Sequence, residues 1–419
     1  MTQKPSPRET FSPTTSSTSD QKPGCLRILQ IVGTALAAIA LAIAGLFAGA
    51  LGIDVSGRTA EPTATIQPLP TDAVLVPDRG VTEITIPQGF GAQKGFWSVY
   101  FTAPTGDSRT STYHDGIETQ LINAVNSAQR TIDIAAYEFN LVDLTQAVLA
   151  ANQRGVQVRV VTDDDAGFDS PTGTLRQLVE ARIPVVIDGR RALMHNKFVI
   201  IDSLTVWTGS WNFTVNGTYR NNNNALVLRS QAAVQNYQAE FNEMFDSRLF
   251  GPSSPSQTPR PDFRQDGVPI LTYFAPEDNV LDAIVNVVNN AQHSIKFMTF
   301  SFTVDPIGQA MIARAGQGVN VQGIFETTGS ETQFSELPAL FCAGLDARQD
   351  GNPYRLHHKV FIIDDETVMT GSFNISQNAV QSNDENLVII TDRDLAAEYL
   401  AEFDRRWAES RLPQGIVCN

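Results

Sequence analysis

The sequence predicts two tandem copies of one α/β domain, each with a mixed sheet and helices on the outside. Residues 194–202 nearly repeat as residues 356–364, at an offset of 162, and separate blocks before and after them repeat at an offset of 162 or 163. Four separated blocks in register indicate an internal duplication. Strand-like and helix-like runs alternate between the blocks, which is typical of an α/β architecture. The two copies are expected to span residues 95–250 and 268–412.

The first copy illustrates the expected order of elements. Runs of β-branched residues predict strands, and apolar residues at helical spacing predict helices. Two paired strands that carry the repeated motif complete the copy, and a proline-rich linker, residues 251–267, is expected to run over the surface between the copies. The strands before the motif are expected at 131–137, 156–162 and 184–188, and the helices at 141–152 and 171–181.

Composition excludes several classes of protein. The 419 residues are 42% hydrophobic, which is enough for a large core and excludes disorder along the whole chain. The net charge of −15, from 30 Lys and Arg against 45 Asp and Glu, opposes loose adsorption onto nucleic acids. The three cysteines show no zinc-type spacing. Cys342 and Cys418 could form a disulfide bond, and the sequence leaves that pairing open.

The N-terminal region carries a candidate membrane segment. Residues 28–53 are 26 consecutive uncharged residues that follow Lys22 and Arg27, and such a run is long enough to cross a bilayer. We expect a transmembrane signal anchor at residues 25–53. The positive flank would hold residues 1–24 in the cytoplasm as a disordered tail. The catalytic copies would then lie outside the cytoplasm, attached to the cell membrane.

Two alternatives to the anchor stay open. A signal peptide cleaved near Ala50 would release a secreted protein, although the apolar run exceeds the usual ~7–15 residues of such a peptide. A buried core helix is the other alternative. In every case residues 54–94, which are rich in proline, are expected to form an extended tether, and residues 413–419 a short C-terminal tail.

Each copy places a histidine and a lysine on the same face of a strand. His195 and Lys197 stand two residues apart, as do His357 and Lys359, within runs of β-branched and aromatic residues. By the same alternation His358 points to the opposite face, which indicates a packing or supporting role.

Further polar residues follow each histidine at matching distances. Asp202 and Asp364 come seven residues after the histidines, so we expect them at the following turn, and we include both among the candidate catalytic residues. A Gly-Ser-x-Asn sequence begins fourteen residues after each histidine, at the end of a returning strand. It supplies two serines and two asparagines: Ser210, Asn212, Ser372 and Asn374.

This pattern of side chains fits phosphodiester chemistry. Cleavage of a phosphodiester needs a nucleophile and an acid that protonates the leaving oxygen, and the two copies supply two histidines. The two lysines and two asparagine amides would bind the phosphate oxygens and oppose the charge of a trigonal-bipyramidal transition state. Such a site requires neither a metal nor a cofactor.

The duplicated His-x-Lys-x4-Asp motif with its trailing Gly-Ser-x-Asn resembles the phospholipase D superfamily over residues 95–412. The resemblance implies a pseudo-twofold pair of α/β/α domains with a single active site at their interface. It also implies a covalent phosphohistidine intermediate and metal-independent hydrolysis or transfer of phosphodiesters. Because both motifs lie in one chain, no obligate oligomer is needed.

The copies differ at a position that assigns roles to the histidines. Glu385 follows His357 by 28 residues, and Asn223 follows His195 by the same distance. In similar enzymes this residue contacts the histidine of the opposite copy, so Glu385 would orient His195 and Asn223 would face His357. A carboxylate behind an imidazole raises its basicity. We therefore expect His195 to be the nucleophile and His357 the acid and base.

Charged residues near the motifs have two interpretations each. Arg190, Arg191 and Arg355 lie just before the motifs, where they either draw in an anionic substrate or form ordinary surface charge. Residues 163–165 are three consecutive aspartates after a predicted strand, and a solvated loop is favoured there over a cation site.

The expected function is head-group hydrolysis or transfer on a glycerophospholipid, since a membrane tether favours a lipid substrate. A nuclease with the same constellation is the main alternative, opposed by the net charge of −15 and by the lack of aromatic residues interleaved with Lys or Arg. A phosphatidyl transferase similar to cardiolipin synthases is a further alternative, although those typically carry two membrane segments. A catalytically inactive binding module is opposed by the two intact motifs.

Overall fold

The structure is a computed structural model that describes residues 80–418. The predicted cytoplasmic tail (1–24), the predicted membrane anchor (25–53) and most of the predicted tether lie outside the described residues. Between residues 80 and 418, no helix is both long and apolar enough to cross a bilayer.

The first copy is built around a nine-stranded mixed sheet and five α-helices. The strands are β1 (Thr82–Ile84), β2 (Gly89–Lys94), β3 (Trp97–Thr102), β4 (Thr131–Ala136), β5 (Gln157–Thr162), β6 (Val185–Ile187), β7 (Lys197–Ile201), β8 (Thr205–Gly209), β9 (Asn221–Asn222) and β10 (Asn224–Leu228). The helices are α1 (Glu118–Ser127), α2 (Val142–Gln153), α3 (Leu175–Glu180), α4 (Val215–Tyr219) and α5 (Gln231–Asn242). The order in the sheet is β1-β2-β3-β10-β8-β7-β4-β5-β6, and β9 pairs elsewhere.

The second copy has an eight-stranded sheet and five further α-helices. The strands are β11 (Asp262–Gln265), β12 (Val268–Ala275), β13 (Ser294–Thr299), β14 (Asn320–Phe325), β15 (Asp346–Gln349), β16 (Arg355–Leu356), β17 (Lys359–Ile363), β18 (Thr367–Gly371) and β19 (Glu385–Thr391). The helices are α6 (Val280–Asn290), α7 (Asp305–Ala315), α8 (Glu336–Cys342), α9 (Gln377–Gln381) and α10 (Arg393–Glu409). The order in the sheet is β11-β12-β19-β18-β17-β13-β14-β15.

Seven strands have the same order in both sheets. The series β3-β10-β8-β7-β4-β5-β6 of the first copy corresponds to β12-β19-β18-β17-β13-β14-β15 of the second. In each series the last three strands run parallel and the other neighbours are antiparallel. The fold is therefore a mixed α/β architecture with two equivalent sheet-containing halves, as the repeat in the sequence predicts.

The two sheets share one core. Helices α5 and α10 contribute to a single apolar cluster with residues from both sheets, while α1–α3 and α6–α8 contribute to separate clusters in the first and second copies. Tyr237 of α5 contacts Phe198 of its own copy and Phe274 of the other, with ring centroids 5.1 and 5.2 Å apart. Burial of an aromatic side chain of this size contributes roughly 2 kcal/mol. The shared core explains why both copies fall within one compact unit.

Two segments adopt more regular structure than the sequence predicts. Residues 82–94, assigned above to the tether, form β1 and β2, and Ile84 and Ile86 pack against the core of the first copy. Residues 262–265 of the predicted linker form β11, an edge strand that pairs with β12. The prediction of an extended tether was wrong for residues 82–94, because Ile84 and Ile86 pack on a sheet there. The linker residues 251–267 are mostly exposed, as predicted.

The two predicted helices of the first copy are present with changed bounds. The helix expected at 141–152 is α2, displaced by one residue. The helix expected at 171–181 shortens to α3, because Gly173 donates its backbone N–H to the carbonyl oxygen of Ser170 in a turn that occupies the first predicted residues.

Cys342 and Cys418 form a disulfide bond, with Cα atoms 5.3 Å apart. The bond ties the end of α8 to the C-terminal tail across a sequence separation of 76 residues. The pairing stayed open at the level of sequence because spacing along the chain does not fix distance in space.

Candidate active site

Each motif histidine is positioned by a backbone contact with the opposite copy. Met194 forms a parallel bridge with Asp384, and β16 pairs in parallel with β9. The next residue in each case is the histidine: His195 donates its N–H to the carbonyl oxygen of Asp384, and His357 donates its N–H to that of Asn222, both at 2.9 Å. The two copies thus exchange short backbone pairs at the points where β7 and β17 begin, which brings both histidines to the interface.

The first imidazole is held by a carboxylate from the second copy. His195 Nδ1 lies 2.7 Å from Glu385 Oε2, and both side chains are buried. Ser372 Oγ donates to the same carboxylate oxygen at 2.8 Å. With its Nδ1–H directed at Glu385, a neutral His195 keeps the lone pair of Nε2 free. The contact predicted between Glu385 and His195 is confirmed.

The second imidazole is held by an amide from the first copy. His357 Nδ1 lies 2.9 Å from Asn223 Oδ1, and Ser210 Oγ donates to that oxygen at 2.9 Å. Asn223 in turn donates its amide N–H to the carbonyl oxygen of Gly217. The predicted contact between Asn223 and His357 is confirmed, and the two serines Ser210 and Ser372 take equivalent supporting positions.

Both lysines are buried beside the histidines. Lys197 Nζ donates to the carbonyl oxygen of His195 at 2.6 Å, and Lys359 Nζ donates to that of His357 at 3.0 Å. An aromatic ring covers each pair: Tyr137 lies 4.7 Å from the His195 ring, and Phe300 lies 4.7 Å from the His357 ring. The same two rings face the lysine ammonium groups at 4.9 and 5.0 Å.

The four basic groups share one electrostatic environment. Burial, followed by the charges of both lysines, holds the pKa of His195 and of His357 well below its usual value. Burial also lowers the pKa of Lys197 to about 7, opposed by Glu385, and lowers that of Lys359. Burial raises the pKa of Glu385 to about 8. Each lysine lowers the pKa of both histidines, and an entering anion would favour the charged forms of all four side chains.

The asparagine of the first Gly-Ser-x-Asn sequence contacts a part-buried carboxylate. Asn212 donates its amide N–H to Glu138 Oε2 at 2.6 Å. The side-chain oxygens of Asn212 and Asn374 are buried without a hydrogen-bond partner among the described residues. Glu138 was missed at the level of sequence, because the equivalent residue of the second copy is Ser301 and the repeat gives no signal there. Burial raises the pKa of Glu138, opposed by Lys197.

Asp202 and Asp364 do not join the site, which corrects their inclusion among the catalytic candidates. Each follows the last residue of its motif strand, at the end remote from the histidine, and adopts a positive φ of 54°. Asp202 accepts three backbone N–H groups from residues 129–131, and Asp364 accepts three from residues 292–294. The odd spacing from the histidine therefore predicts their position correctly, and their role is to hold the turn.

His358 has the supporting role that strand alternation predicts. It is fully buried, with Nε2 3.0 Å from Glu402 Oε1 and Nδ1 3.2 Å from the side-chain nitrogen of Asn224. The mirror residue Asn196 donates to Glu240 Oε1 at 3.0 Å and accepts from Asn386. A pair of equivalent polar networks thus runs behind the two motif strands.

The remaining charged candidates have structural partners. Asp163 is buried and accepts N–H groups from Ala166 and Met194, so the prediction of a solvated loop was wrong for this residue. Arg190 pairs with Asp384 across the interface and Arg355 with Glu326. The third arginine, Arg191, is exposed. Two of the three arginines are thus engaged within the protein.

A family model described as "Cardiolipin synthase, PLD-like domain" matches residues 121–245 and 270–407, which is more than half of the chain. The chain belongs to the phospholipase D superfamily. The matched residues include both motifs and both cross-copy partners.

Known proteins similar to this phospholipase D-like chain match about a third of it. A mitochondrial cardiolipin hydrolase of Xenopus tropicalis is 36% identical over 133 residues, covering 31% of the chain and 62% of the relative. A phospholipase D of Rickettsia felis is 34% identical over 141 residues, covering 34% of the chain and 70% of the relative. The chain thus spans under two thirds of the length of the frog hydrolase.

A solved structure aligns over most of the phospholipase D-like chain. Phosphatidylserine synthase of Haemophilus influenzae aligns over 71% of the chain and 85% of its own length, with a TM-score of 0.55 and 13% identity. At this identity the likeness shows the fold alone, and it extends over both copies.

Separate substitutions of two neighbouring aspartates, Asp364 and Asp365, test whether Asp364 stabilises the turn that it occupies. Although burial opposes it, the three N–H donors keep the pKa of Asp364 below its ordinary value of 3.8, so its carboxylate stabilises the fold above that pH and loses this effect as pH falls through the lowered pKa. We expect D364N to lower the melting temperature at pH 7 by about 2–5 °C, with the difference shrinking below pH 3.8.

The matched control is D365N, because Asp365 occupies the same turn with a similar φ of 53° but is largely exposed. It should leave the melting temperature nearly unchanged at both pH values. Equal effects of the two variants would contradict the role assigned to Asp364.

Proposed function

We propose that this chain is a phospholipase D-type phosphodiesterase that works through a phosphohistidine intermediate, with His195 as nucleophile and His357 as general acid and base. One observation carries the assignment: the two histidines are held differently, His195 by the carboxylate of Glu385 and His357 by the amide of Asn223. A carboxylate stabilises the positive charge that develops on an imidazole when it attacks phosphorus, whereas an amide fixes the ring without adding charge.

In the first step the lone pair of His195 Nε2 attacks phosphorus and the bond to the leaving oxygen breaks. His357, protonated in the presence of the phosphate anion, gives its proton to that oxygen. Glu385 retains the Nδ1–H contact and offsets the charge of the phosphorylated ring. We assign Lys197, Lys359 and the amides of Asn212 and Asn374 to binding the equatorial oxygens of the phosphate.

In the second step His357, now neutral, removes a proton from water. The water oxygen attacks phosphorus from the side that the leaving group vacated, and the bond to His195 Nε2 breaks. The product carries the phosphate group, and both imidazoles return to their starting protonation states. An alcohol in place of water would give transfer instead of hydrolysis. The protein groups named here supply every proton that the two steps require.

A glycerophospholipid is the proposed substrate. The matching family model is described as a cardiolipin synthase PLD-like domain, and two similar proteins are named cardiolipin hydrolase and phospholipase D. These names refer to enzymes of glycerophospholipids. The net charge of −15 disfavours a polyanion that would need an extended basic surface. Attachment to the extracytoplasmic face of the membrane through residues 25–53 is part of the proposal, since it would place the site beside lipid.

The substrate is tested with the full chain in buffer containing EDTA. Vesicles of phosphatidylcholine, phosphatidylglycerol and cardiolipin are offered in parallel with single- and double-stranded DNA and RNA. We expect release of phosphatidic acid from at least one lipid, lost at least 10²-fold in H195A. The control H114A changes an exposed histidine outside both motifs and should keep most of the activity. Cleavage of nucleic acid alone would overturn the lipid substrate and leave the mechanism standing.

The roles of the histidines are separated with an aryl phosphodiester, bis(4-nitrophenyl) phosphate. Nitrophenolate needs no proton to leave, so H357A should still complete the first step and release a burst of about one nitrophenolate per chain before stalling. H195A lacks the nucleophile and should give no burst. A burst from H195A, with none from H357A, would reverse the assignment.

A further inference from the structure

Glu138 lies beside the proposed nucleophile, although it belongs to neither motif. It directly follows Tyr137, just beyond the end of β4. The Tyr137 ring lies 4.7 Å from the His195 ring and 4.9 Å from Lys197 Nζ. The Glu138 side chain itself is half-buried. No step of the proposed reaction uses this carboxylate, so its position at the site has no explanation yet.

A hydrogen bond joins Glu138 to a second segment of the same copy. Glu138 Oε2 accepts an amide N–H of Asn212 at 2.6 Å. Asn212 stands two residues after Ser210, whose carbonyl oxygen lies 3.2 Å from His357 Nδ1. The bond between Glu138 and Asn212 therefore links the segment that covers His195 with the segment that contacts His357.

The second copy folds in the same way without this side-chain bond. In each copy a backbone bridge joins the two equivalent segments. The bridges are Phe139 with Phe213 in the first copy and Phe302 with Ile375 in the second. The second copy has Ser301 at the position of Glu138, so its bridge forms without a carboxylate there. This comparison indicates that Glu138 serves the site and is not needed for the fold.

The carboxylate fixes the direction in which the Asn212 amide points. An ionised carboxylate accepts hydrogen bonds and donates none, so the Asn212 nitrogen faces Glu138 and the Asn212 oxygen faces away. That oxygen is buried and has no hydrogen-bond partner within residues 80–418. An amide nitrogen carries two N–H groups, and Glu138 accepts one of them. The other N–H can be donated to a phosphate oxygen.

Glu138 also changes the electrostatic environment of Lys197. Burial lowers the pKa of Lys197 to about 7, and the carboxylates of Glu385, Glu138 and Asp163 oppose this effect. Burial raises the pKa of Glu138, and Lys197 and the Asn212 amide oppose that rise. The ammonium group and the carboxylate therefore each favour the charged form of the other.

The equivalent lysine of the second copy, Lys359, lacks this support. At the positions equivalent to Glu138 and Asp163 the second copy has Ser301 and Glu326. Ser301 is uncharged, and Glu326 pairs with Arg355 at 3.0 Å. Burial, followed by the charge of the other motif lysine, holds the pKa of Lys359 well below its usual value. The two lysines are therefore unequal, as the two histidines are.

We propose that Glu138 is a positioning residue that holds the Asn212 amide in one orientation and keeps Lys197 in its ammonium form beside His195. Glu138 acts through these two groups, and it neither touches the phosphate nor transfers a proton. The inference rests on the proposed function, because the phosphate of that reaction is the group that Asn212 and Lys197 would bind.

The charge of Lys197 is measured by NMR titration of the full chain labelled with ¹³C-lysine. The chain has six lysines, so the spectrum contains few signals, and the signal that K197R loses belongs to Lys197. Glutamine at position 138 keeps the size of the side chain and removes its negative charge, which disfavours the ammonium form. We expect Lys197 to titrate about 0.5 pH units or more lower in E138Q than in the wild-type chain.

Two variants serve as controls for this titration. E138D keeps the charge, and S301A changes the equivalent position of the second copy, so both should titrate close to the wild-type chain. Besides Glu138, the titratable groups that interact with Lys197 are Tyr137, Asp163, His195, His357, Lys359 and Glu385. All of them remain in E138Q, so a changed titration would be due to position 138.

The orientation of Asn212 is tested with bis(4-nitrophenyl) phosphate. For this substrate kcat/KM reports the first step, in which nitrophenolate needs no proton to leave. E138Q keeps an oxygen that can accept from Asn212, so its kcat/KM should fall at lower pH than that of the wild-type chain while staying within about threefold of it at pH 6. E138A has no acceptor, and its kcat/KM should be about tenfold lower or less even at pH 6. Its melting temperature should stay near the wild-type value because the backbone bridge remains.

Two results would overturn the proposal. The first is a Lys197 signal that titrates at the same pH in E138Q and in the wild-type chain. The second is a folded E138A variant whose kcat/KM matches that of S301A at every pH. If the wild-type chain cleaved no phosphodiester, the proposed function would fail, whereas the NMR titration would still decide whether Glu138 maintains the charge of Lys197.

Discussion

The arrangement of the site depends on one interaction, the contact between the His195 imidazole of the first copy and the Glu385 carboxylate of the second. Neither group could be buried alone without a large cost, because each would lose its hydration without a partner. The backbone bridge between Met194 and Asp384 places the two side chains within reach. A site built this way exists only when both copies are folded against each other, and the shared core around Tyr237 supplies the packing that keeps them together.

Duplication followed by divergence explains the inequality of the two halves. The repeat keeps the groups that both halves need, a histidine, a lysine, a serine and an asparagine in each. The residue that contacts the histidine side chain differs between the halves: His195 contacts the carboxylate of Glu385, and His357 contacts the amide of Asn223. The two equivalent histidines therefore have different environments. The same divergence reaches the supporting network, where Glu402 pairs with Arg405 and Arg406, whereas the equivalent positions near Glu240 hold Glu243 and Met244. Differences between equivalent positions are therefore the most informative part of this sequence.

Much of the fold and of the candidate site could be predicted, because the internal repeat and the alternation of side chains along strands are visible in the sequence. The α/β duplication and the turn position of Asp202 follow from spacing, whereas the contact of Glu385 with His195 follows from the resemblance to the phospholipase D superfamily. Other features carry no such signal. Glu138 has no counterpart in the second copy, and the bond between Cys342 and Cys418 depends on proximity in space. Residues 82–94 have the composition of a linker, so the strands there could not be predicted from the sequence.

In the proposed reaction His195 becomes covalently attached to phosphorus while His357 transfers protons. The most direct measurement mixes the wild-type chain with an aryl phosphodiester, stops the reaction within milliseconds in alkaline denaturant, where phosphohistidine is preserved, and maps the adduct by mass spectrometry of peptides. We expect a phosphoryl adduct on His195 with His357 unmodified. An adduct on His357, or full turnover with neither histidine modified at any time, would contradict it.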